Sequence, residues 1–334
     1  IRSVTRKLIA AHRRGVSVQV LIDDGMKNKH IKKLKKTLGK KKSARSFVAV
    51  CDHSCMSNGA STIHAKFYLF SVAGRARYVS LVSSGNPYSG NTTKSWNNTH
   101  TIVRNPEIYN SLSRYFTDML PDDTDLNYYR TTTSGKYTVY YYPQKIRRPD
   151  DLVWMNALNK TSCKTTAPGY GNRQRRTLIR VANWGWTQPR IDVAKRLWRL
   201  HNAGCRVQVM INRGRISKVV LKALLKPSKK YGKLPVYNAW RDWRKKAIAG
   251  LYVHHKFMTI DGLLDGKNVK ITWTGSQNFT ALATQANNEL VLRVIDDKVV
   301  DAYNGNFAFI RDKYTQRMRS VPTITREAGR VGGA

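Results

Sequence analysis

Between Leu251 and Phe279, a histidine and a lysine stand two residues apart, His254 and Lys256, in an alternating apolar run. Alternation at period two is a strand pattern, and residues i and i+2 of a strand share a face. An imidazole and an ammonium on one face can address a single phosphate. After a turn at Asp261 and Gly262, a second strand-like run from Val269 to Trp273 leads into Gly275, Ser276, Gln277 and Asn278. The hydroxyl and amides there offer further donors to the same spot. A phosphodiester resists attack because its oxygens are anionic, so a site that cleaves one must neutralise charge, supply a nucleophile and protonate the leaving alkoxide.

The arrangement recurs about 190 residues earlier. His64, Ala65 and Lys66 open Phe67 to Phe70, and a second run ends in Ser83, Ser84, Gly85 and Asn86. Upstream, the stretch from His12 to Val20 matches that from His201 to Val209. The chain is an internal duplication. A lone histidine in an apolar strand is usually a satisfied core residue, but two in register with paired lysines and asparagines are not explained that way. His53, His100 and His255 lack such support and read as structural or exposed.

Two copies of His-x-Lys, followed by Ser and Asn at matching offsets, resemble the phospholipase D superfamily of phosphodiesterases. The second copy is complete, with Asp261 five residues after Lys256 and the Gly275, Ser276, Asn278 pattern. The first departs from it, with Ser71 where the motif has Asp and Ser83-Ser84-Gly85-Asn86 where it has Gly-Ser-x-Asn. The resemblance implies an α/β fold of two tandem α/β/α repeats related by a pseudo-two-fold, with one active site at their interface. It implies no metal or other cofactor. It also implies a two-step reaction in which one histidine attacks phosphorus to give a phosphohistidine, while the other acts as general acid and then as base toward water. Some relatives carry a downstream glutamate that steadies a catalytic histidine, and Glu289 suits that role; Thr99 reads as its first-half counterpart.

In residue terms, Lys66 and Lys256 would neutralise charge, and Asn86, Asn278, Ser84 and Ser276 would donate to the equatorial oxygens. If Glu289 supports His254, that histidine suits the acid and His64 the nucleophile, because a carboxylate raises imidazolium stability. Asp261 reads as an anchor for the motif loop.

Charge narrows the partners. Lys plus Arg number 60 against 20 Asp plus Glu, a formal charge of +40, far beyond what solubility needs. The expected partner is a polyanion, either nucleic acid or a phospholipid surface; no protein partner is called for, and a monomer is expected. The stretch from Lys27 to Lys42 holds nine lysines in sixteen residues, with Ile31, Leu34 and Leu38 spaced as one helical face. Its second-half counterpart, Lys218 to Lys233, continues to Arg241, Arg244, Lys245 and Lys246. Lys32, Lys36, Lys229 and Lys230 are accordingly candidates for holding an extended polyanion, and a solvated basic surface is the plainer reading. Trp184 and Trp186, with Tyr88 and Phe279 just after the motif asparagines, could stack on bases, receive acyl chains or pack in the core. Gly169-Tyr170-Gly171 lacks the third glycine and following helix of a dinucleotide loop.

Four cysteines pair most simply within halves, Cys51 with Cys55 and Cys163 with Cys205, which suggests a secreted protein. A metal site on Cys51, His53 and Cys55 is the competing reading, and no second Cys/His pair completes it. No apolar run reaches the ~18 residues of a membrane span, and a signal peptide would have been lost by cleavage.

Residues 1–120 read as the first repeat, 121–135 as an acidic, turn-rich linker, 136–320 as the second repeat and 321–334 as a frayed tail. The second repeat opens with about 55 residues, including strand-like runs at Tyr137 to Tyr142 and Leu178 to Ala182, that the first half lacks. Either an N-terminal piece precedes Ile1 or the first repeat is shorter. Three functions fit: a nuclease, a phospholipase D, or an inactive polyanion-binding protein. The short, polar turns beside the motifs, Gly74 to Arg77 and Gly262 to Lys267, favour the nuclease.

Overall fold

Period-two apolar patterning in the second half builds a sheet with both faces covered. Along Leu178–Asn183, Ile179 and Val181 point to one side and Ala182 to the other; Val207, Val209 and Ile211 against Met210 repeat this on Arg206–Ile211, as do Met258 and Ile260 against Phe257 on Lys256–Leu264. The first set meets the helices Val153–Asn159, Ile191–Asn202 and Lys218–Leu224, and the second meets Phe307 and Ile310 of Asp297–Tyr314. The structure is a computed structural model and describes residues 1–57, 59–88, 93–239 and 251–321. Arg241, Arg244, Lys245, Lys246 and the tail beyond Val321 lie outside the described residues.

The strand order of this sheet is Gln316–Arg317, Val236–Asn238, Arg206–Ile211, Leu178–Asn183, Lys256–Leu264, Lys267–Gly275, Glu289–Ile295, Tyr137–Tyr142 and Arg130–Ser134. Its parallel part is 178–183 beside 206–211 beside 236–238; the motif strands pair antiparallel, Lys256–Leu264 with Leu178–Asn183 and Lys267–Gly275 with Lys256–Leu264. Arg130–Ser134 pairs with Tyr137–Tyr142, so regular structure of the second sheet begins inside the stretch read as linker.

The first half repeats the plan. Gln19–Asp23 pairs in parallel with Phe47–Cys51, and Phe67–Ala73, Ala76–Ser83 and Thr99–Ile102 form an antiparallel sheet. Helices Arg2–Arg13 and Lys29–Leu38 bury Ile9, Leu34 and Leu38 against Val18 and Val48. Asn28 caps the latter helix by accepting from the backbone N–H groups of His30 and Ile31. Among the described residues no strand links Gln19–Asp23 to Phe67–Ala73, although Leu178–Asn183 links their counterparts. The consequence is visible in exposure: Phe70 is 43% exposed where its counterpart Ile260 is 0%.

One core spans both halves. Ile108, Leu112, Tyr115 and Met119 of the helix Pro106–Met119 pack with Val82 and Ile102 on one side and Val139, Leu290, Leu292 and Val294 on the other. That shared core fixes the two motif copies against each other. Both within-half disulfides form, Cys51–Cys55 and Cys163–Cys205. Asp122 lies near the first pair, but sulfurs bonded to each other have no thiolate to offer a metal.

Candidate active site

His64 and Lys66 enter at the start of Phe67–Ala73, and His254 and Lys256 at the start of Lys256–Leu264. Each histidine is held by backbone from the opposite half: His64 N–H donates to Asn288 O at 2.9 Å, and His254 N–H to Trp96 O at 2.9 Å. The same exchange governs the rings. His64 Nδ1 lies 2.8 Å from Glu289 Oε1, and His254 Nδ1 lies 2.9 Å from Asn97 Oδ1. Each acceptor is in turn held by a motif serine, Glu289 by the Ser276 hydroxyl and Asn97 by the Ser84 hydroxyl at 3.3 Å. Ser276 N–H donates to Leu290 O, and Ser84 N–H to Asn98 O. The two halves thus present matching contacts that cross between them.

These contacts correct three expectations. Glu289 reaches His64 and not His254. Its first-half counterpart is Asn97; Thr99 instead donates from its hydroxyl to Ser83 Oγ at 3.0 Å. Ser84 and Ser276 are fully buried, facing the residues that orient the histidines and not a space for equatorial oxygens. A sequence signal for Asn97 existed: Glu289 follows Ser276 by 13 residues, and Asn97 follows Ser84 by 13. Gly275 owes its identity to close approach, because at φ +147° a Cβ there would lie 2.3 Å from Leu290 O.

Both lysine ammoniums fold back over the motif. Lys256 Nζ donates to His254 O at 3.0 Å and Ser84 O at 3.2 Å and lies 3.0 and 3.1 Å from the two His254 ring nitrogens. Lys66 Nζ donates to His64 O. Glu289 is thus the carboxylate that acts on His64, Lys66 and Lys256 together, and of these two lysines and two histidines all but partly exposed His64 are buried. Burial is the leading cause of the downward shift of both histidines and both lysines. It brings His64 to about 4 against the pull of Glu289, and Lys66 to about 7 against Glu289 and Asp23. Lys256 falls well below its ordinary value, and His254 falls too, through burial and then Lys256 and Lys66. Glu289 is held below the usual carboxylate range: burial pushes it up, but His64, Lys66 and Ser276 together outweigh that. Such a cluster is short of negative charge, and an arriving phosphate supplies it.

A pH prediction follows. Folded Lys66 binds its proton near 7, against 10.5 ordinarily, so between these values the unfolded chain holds more protons and stability rises with pH. Urea unfolding at pH 7 and pH 9.5 should show wild type gaining more stability over this interval than Lys66→Met. An equal gain in both proteins would contradict the shift.

Residues 2–120 and 174–311 match the family described as cardiolipin synthase, PLD-like domain. The chain belongs to the phospholipase D superfamily. Members of this superfamily are phosphodiesterases. Two curated relatives named mitochondrial cardiolipin hydrolase are similar: that of Xenopus tropicalis is 38% identical over 63 residues, 19% of this chain and 27% of that protein. That of Xenopus laevis is 30% identical over 123 residues, 37% of this chain and 50% of that protein. The chain thus spans half the length or less of these relatives. Among solved structures, a polyphosphate kinase from Porphyromonas gingivalis superposes with a TM-score of 0.60 at 14% identity, covering 95% of this chain and 42% of that one. Phosphatidylserine synthase from Haemophilus influenzae Rd KW20 superposes with a TM-score of 0.55 at 12% identity, covering 96% and 86%.

The remaining candidates scatter within this phospholipase D-like frame. Asn86 and Asn278 are half-buried at the ends of their motif strands, and Asn278 Oδ1 is buried without a partner among the described residues. Tyr88 is half-buried, its N–H donating to Asn86 O. Asp261 accepts from Gly171 N–H at 2.8 Å, which ties the Gly169–Gly171 loop to the motif strand, and its carboxyl is pushed up chiefly by burial. Lys32, Lys36, Lys229 and Lys230 are exposed. Trp186 and Phe279 are corrected: with 1% and 2% exposure and ring centroids 4.7 Å apart they pack in the core beside Trp154 and cannot meet substrate. The aromatic beside the chemistry is Trp184, 5.3 Å from His254 and 4.7 Å from Tyr252, with the Arg215 guanidinium 5.0 Å over its ring. His255 is structural, its Nδ1 2.9 Å from Asn98 Oδ1.

Proposed function

We propose that the chain is a secreted, metal-independent nuclease of the phospholipase D superfamily that cleaves DNA or RNA through a phosphohistidine on His64. The observation that carries the substrate assignment is the lip of the site. Trp184, Tyr252 and Arg215 form an aromatic and guanidinium shelf against His254, suited to a base next to the phosphate under attack. The aromatics that an acyl chain would need, Trp186 and Phe279, face the core. A charge of +40 supports a long polyanion, and two disulfides support an oxidising compartment.

The mechanism follows from the crossed contacts. His64 donates its Nδ1 proton to Glu289, which leaves Nε2 as the lone-pair donor, and bonding of Nε2 to phosphorus makes the ring cationic. Glu289 is the buried negative charge that stabilises this cation. Asn97 orients His254 equally well but as a neutral amide gives its imidazolium no such stabilisation. Once the diester's charge beside Lys66 and Lys256 has drawn a proton onto His254, that proton passes readily to the leaving oxygen, and the neutral ring then takes one from water. Asn86 and Asn278 donate to the non-bridging oxygens. His64 as nucleophile thus rests on the carboxylate it holds, not on lacking one.

Phospholipid is the second reading, favoured by the names of the Xenopus relatives and of the matched family. The test is cleavage in excess EDTA of single- and double-stranded DNA, RNA, and phosphatidylcholine and cardiolipin vesicles, with His254→Ala as control. Nucleic-acid cleavage that persists in EDTA and vanishes in the variant is expected. Cleavage of lipid alone would make the chain a phospholipase, and tight DNA binding without any cleavage would make it an inactive polyanion-binding protein.

A further inference from the structure

At the end of the second sheet remote from the histidines, a cavity of about 260 Å³ is lined by Arg176, Arg206, Lys233 and Arg317, with His201 and Tyr231. No carboxylate is among its described lining residues. The four cations come from separate segments: Arg176 precedes Leu178–Asn183, Arg206 opens the neighbouring strand, Lys233 lies in Gly232–Lys233, and Arg317 lies in Gln316–Arg317. Several are held in place. The Arg176 guanidinium lies 4.9 Å over the Tyr231 ring, Arg317 Nη2 donates to Lys233 O at 3.4 Å, and Lys233 Nζ donates to Arg319 O at 2.7 Å. His201, in the wall, sits 3.2 Å from Gly232 O, and burial, Arg206 and Arg317 hold its pKa down.

Cations gathered around one concavity repel each other, and a multiply charged anion relieves that repulsion. Guanidinium forks match phosphate oxygens. The volume falls below the ~300 Å³ at which pockets begin to enclose whole small molecules, so it suits a phosphate group and not an entire nucleotide. Position adds the link to the active site. Arg206 pairs with Leu178, and Lys256 pairs with Asn183 at the other end of the same strand. Five strand steps separate them, roughly 17 Å, or about five base-pair steps of duplex. Lys230, a sequence candidate for polyanion binding, has its Nζ 5.5 Å over the ring of Tyr231, which lines the cavity.

We propose that this cavity is a second phosphate site that grips the backbone of a long nucleic acid roughly 17 Å from the bond being cleaved. The proposal rests on the nucleic-acid reading above. Its test is Arg206→Ala with Arg317→Ala, compared with Arg206→Lys with Arg317→Lys. Equilibrium binding of a 40-base-pair duplex is measured across salt, alongside cleavage of that duplex and of bis(p-nitrophenyl) phosphate. The alanine pair should make the slope of log K against log salt shallower by about 2 and raise KM for the duplex about tenfold, with bis(p-nitrophenyl) phosphate turnover unchanged. The lysine pair should keep the slope. An unchanged slope in the alanine pair overturns the site. Failure of wild type to cleave the duplex, with the slope change still present, would remove the nuclease reading and leave the phosphate site standing.

Discussion

Removing His64 is expected to abolish attack on every diester, whereas removing His254 should block that first step only where the leaving group needs a proton. His64→Ala loses the nucleophile, and a fall of about 10⁴-fold or more is expected on nucleic acid and on bis(p-nitrophenyl) phosphate alike. His254→Ala loses a general acid and base, worth about 10²–10⁴-fold with an alkoxide leaving group. p-Nitrophenolate leaves without a proton, so His254→Ala should still release it in a rapid burst equal to the enzyme concentration and then stall, because water attack on the phosphohistidine lacks its base. Stopped-flow absorbance reads this directly. A burst in His64→Ala and none in His254→Ala would reverse the roles.

The second large effect concerns the residues behind the histidines. Glu289→Gln preserves shape and can still accept from His64 Nδ1, but it puts an NH2 where Oε2 accepts from the Ser276 hydroxyl and removes the carboxylate that acts on Lys66, Lys256 and His64 alike. Activity should drop about 10²–10⁴-fold, the scale of a lost electrostatic stabiliser or proton-transfer partner. Asn97→Asp does the opposite to His254. A carboxylate at that Nδ1 favours the imidazolium, so the acid form survives to higher pH and the alkaline limb of the kcat/KM profile should move upward. Full-length pH profiles of the three proteins check both statements. Near-wild-type activity in Glu289→Gln, or an unmoved alkaline limb in Asn97→Asp, would separate these side chains from the chemistry.

What the sequence discloses here depends on whether the signal is local. His64 with Lys66 and His254 with Lys256 sit two apart, so strand periodicity alone puts each pair on one face, and repetition makes them legible. Contacts crossing between halves leave no such trace. Glu289 meets His64 across 225 residues, and Asn97 meets His254 across 157. Sequence alone reads Thr99 as the counterpart of Glu289; the spacing from the motif serines, equal in both halves, points instead to Asn97. Aromatics were ambiguous for another reason. Trp184 and Trp186 stand two apart, yet Trp186 turns into the core while Trp184 reaches His254, and no local pattern distinguishes a wall of the site from the packing behind it. The cationic cavity was hidden as well, because Arg176, Arg206, Lys233 and Arg317 are drawn together only by the register of the sheet.

The measurement that goes most directly to the central claim is identification of the covalent intermediate. Wild type and His254→Ala would be mixed with bis(p-nitrophenyl) phosphate, whose leaving group needs no proton, quenched in alkali within one turnover, digested and mapped by mass spectrometry. The account predicts a phosphoryl adduct on the peptide containing His64, accumulating in His254→Ala. An adduct on His254, or none on either histidine while cleavage proceeds, would contradict it.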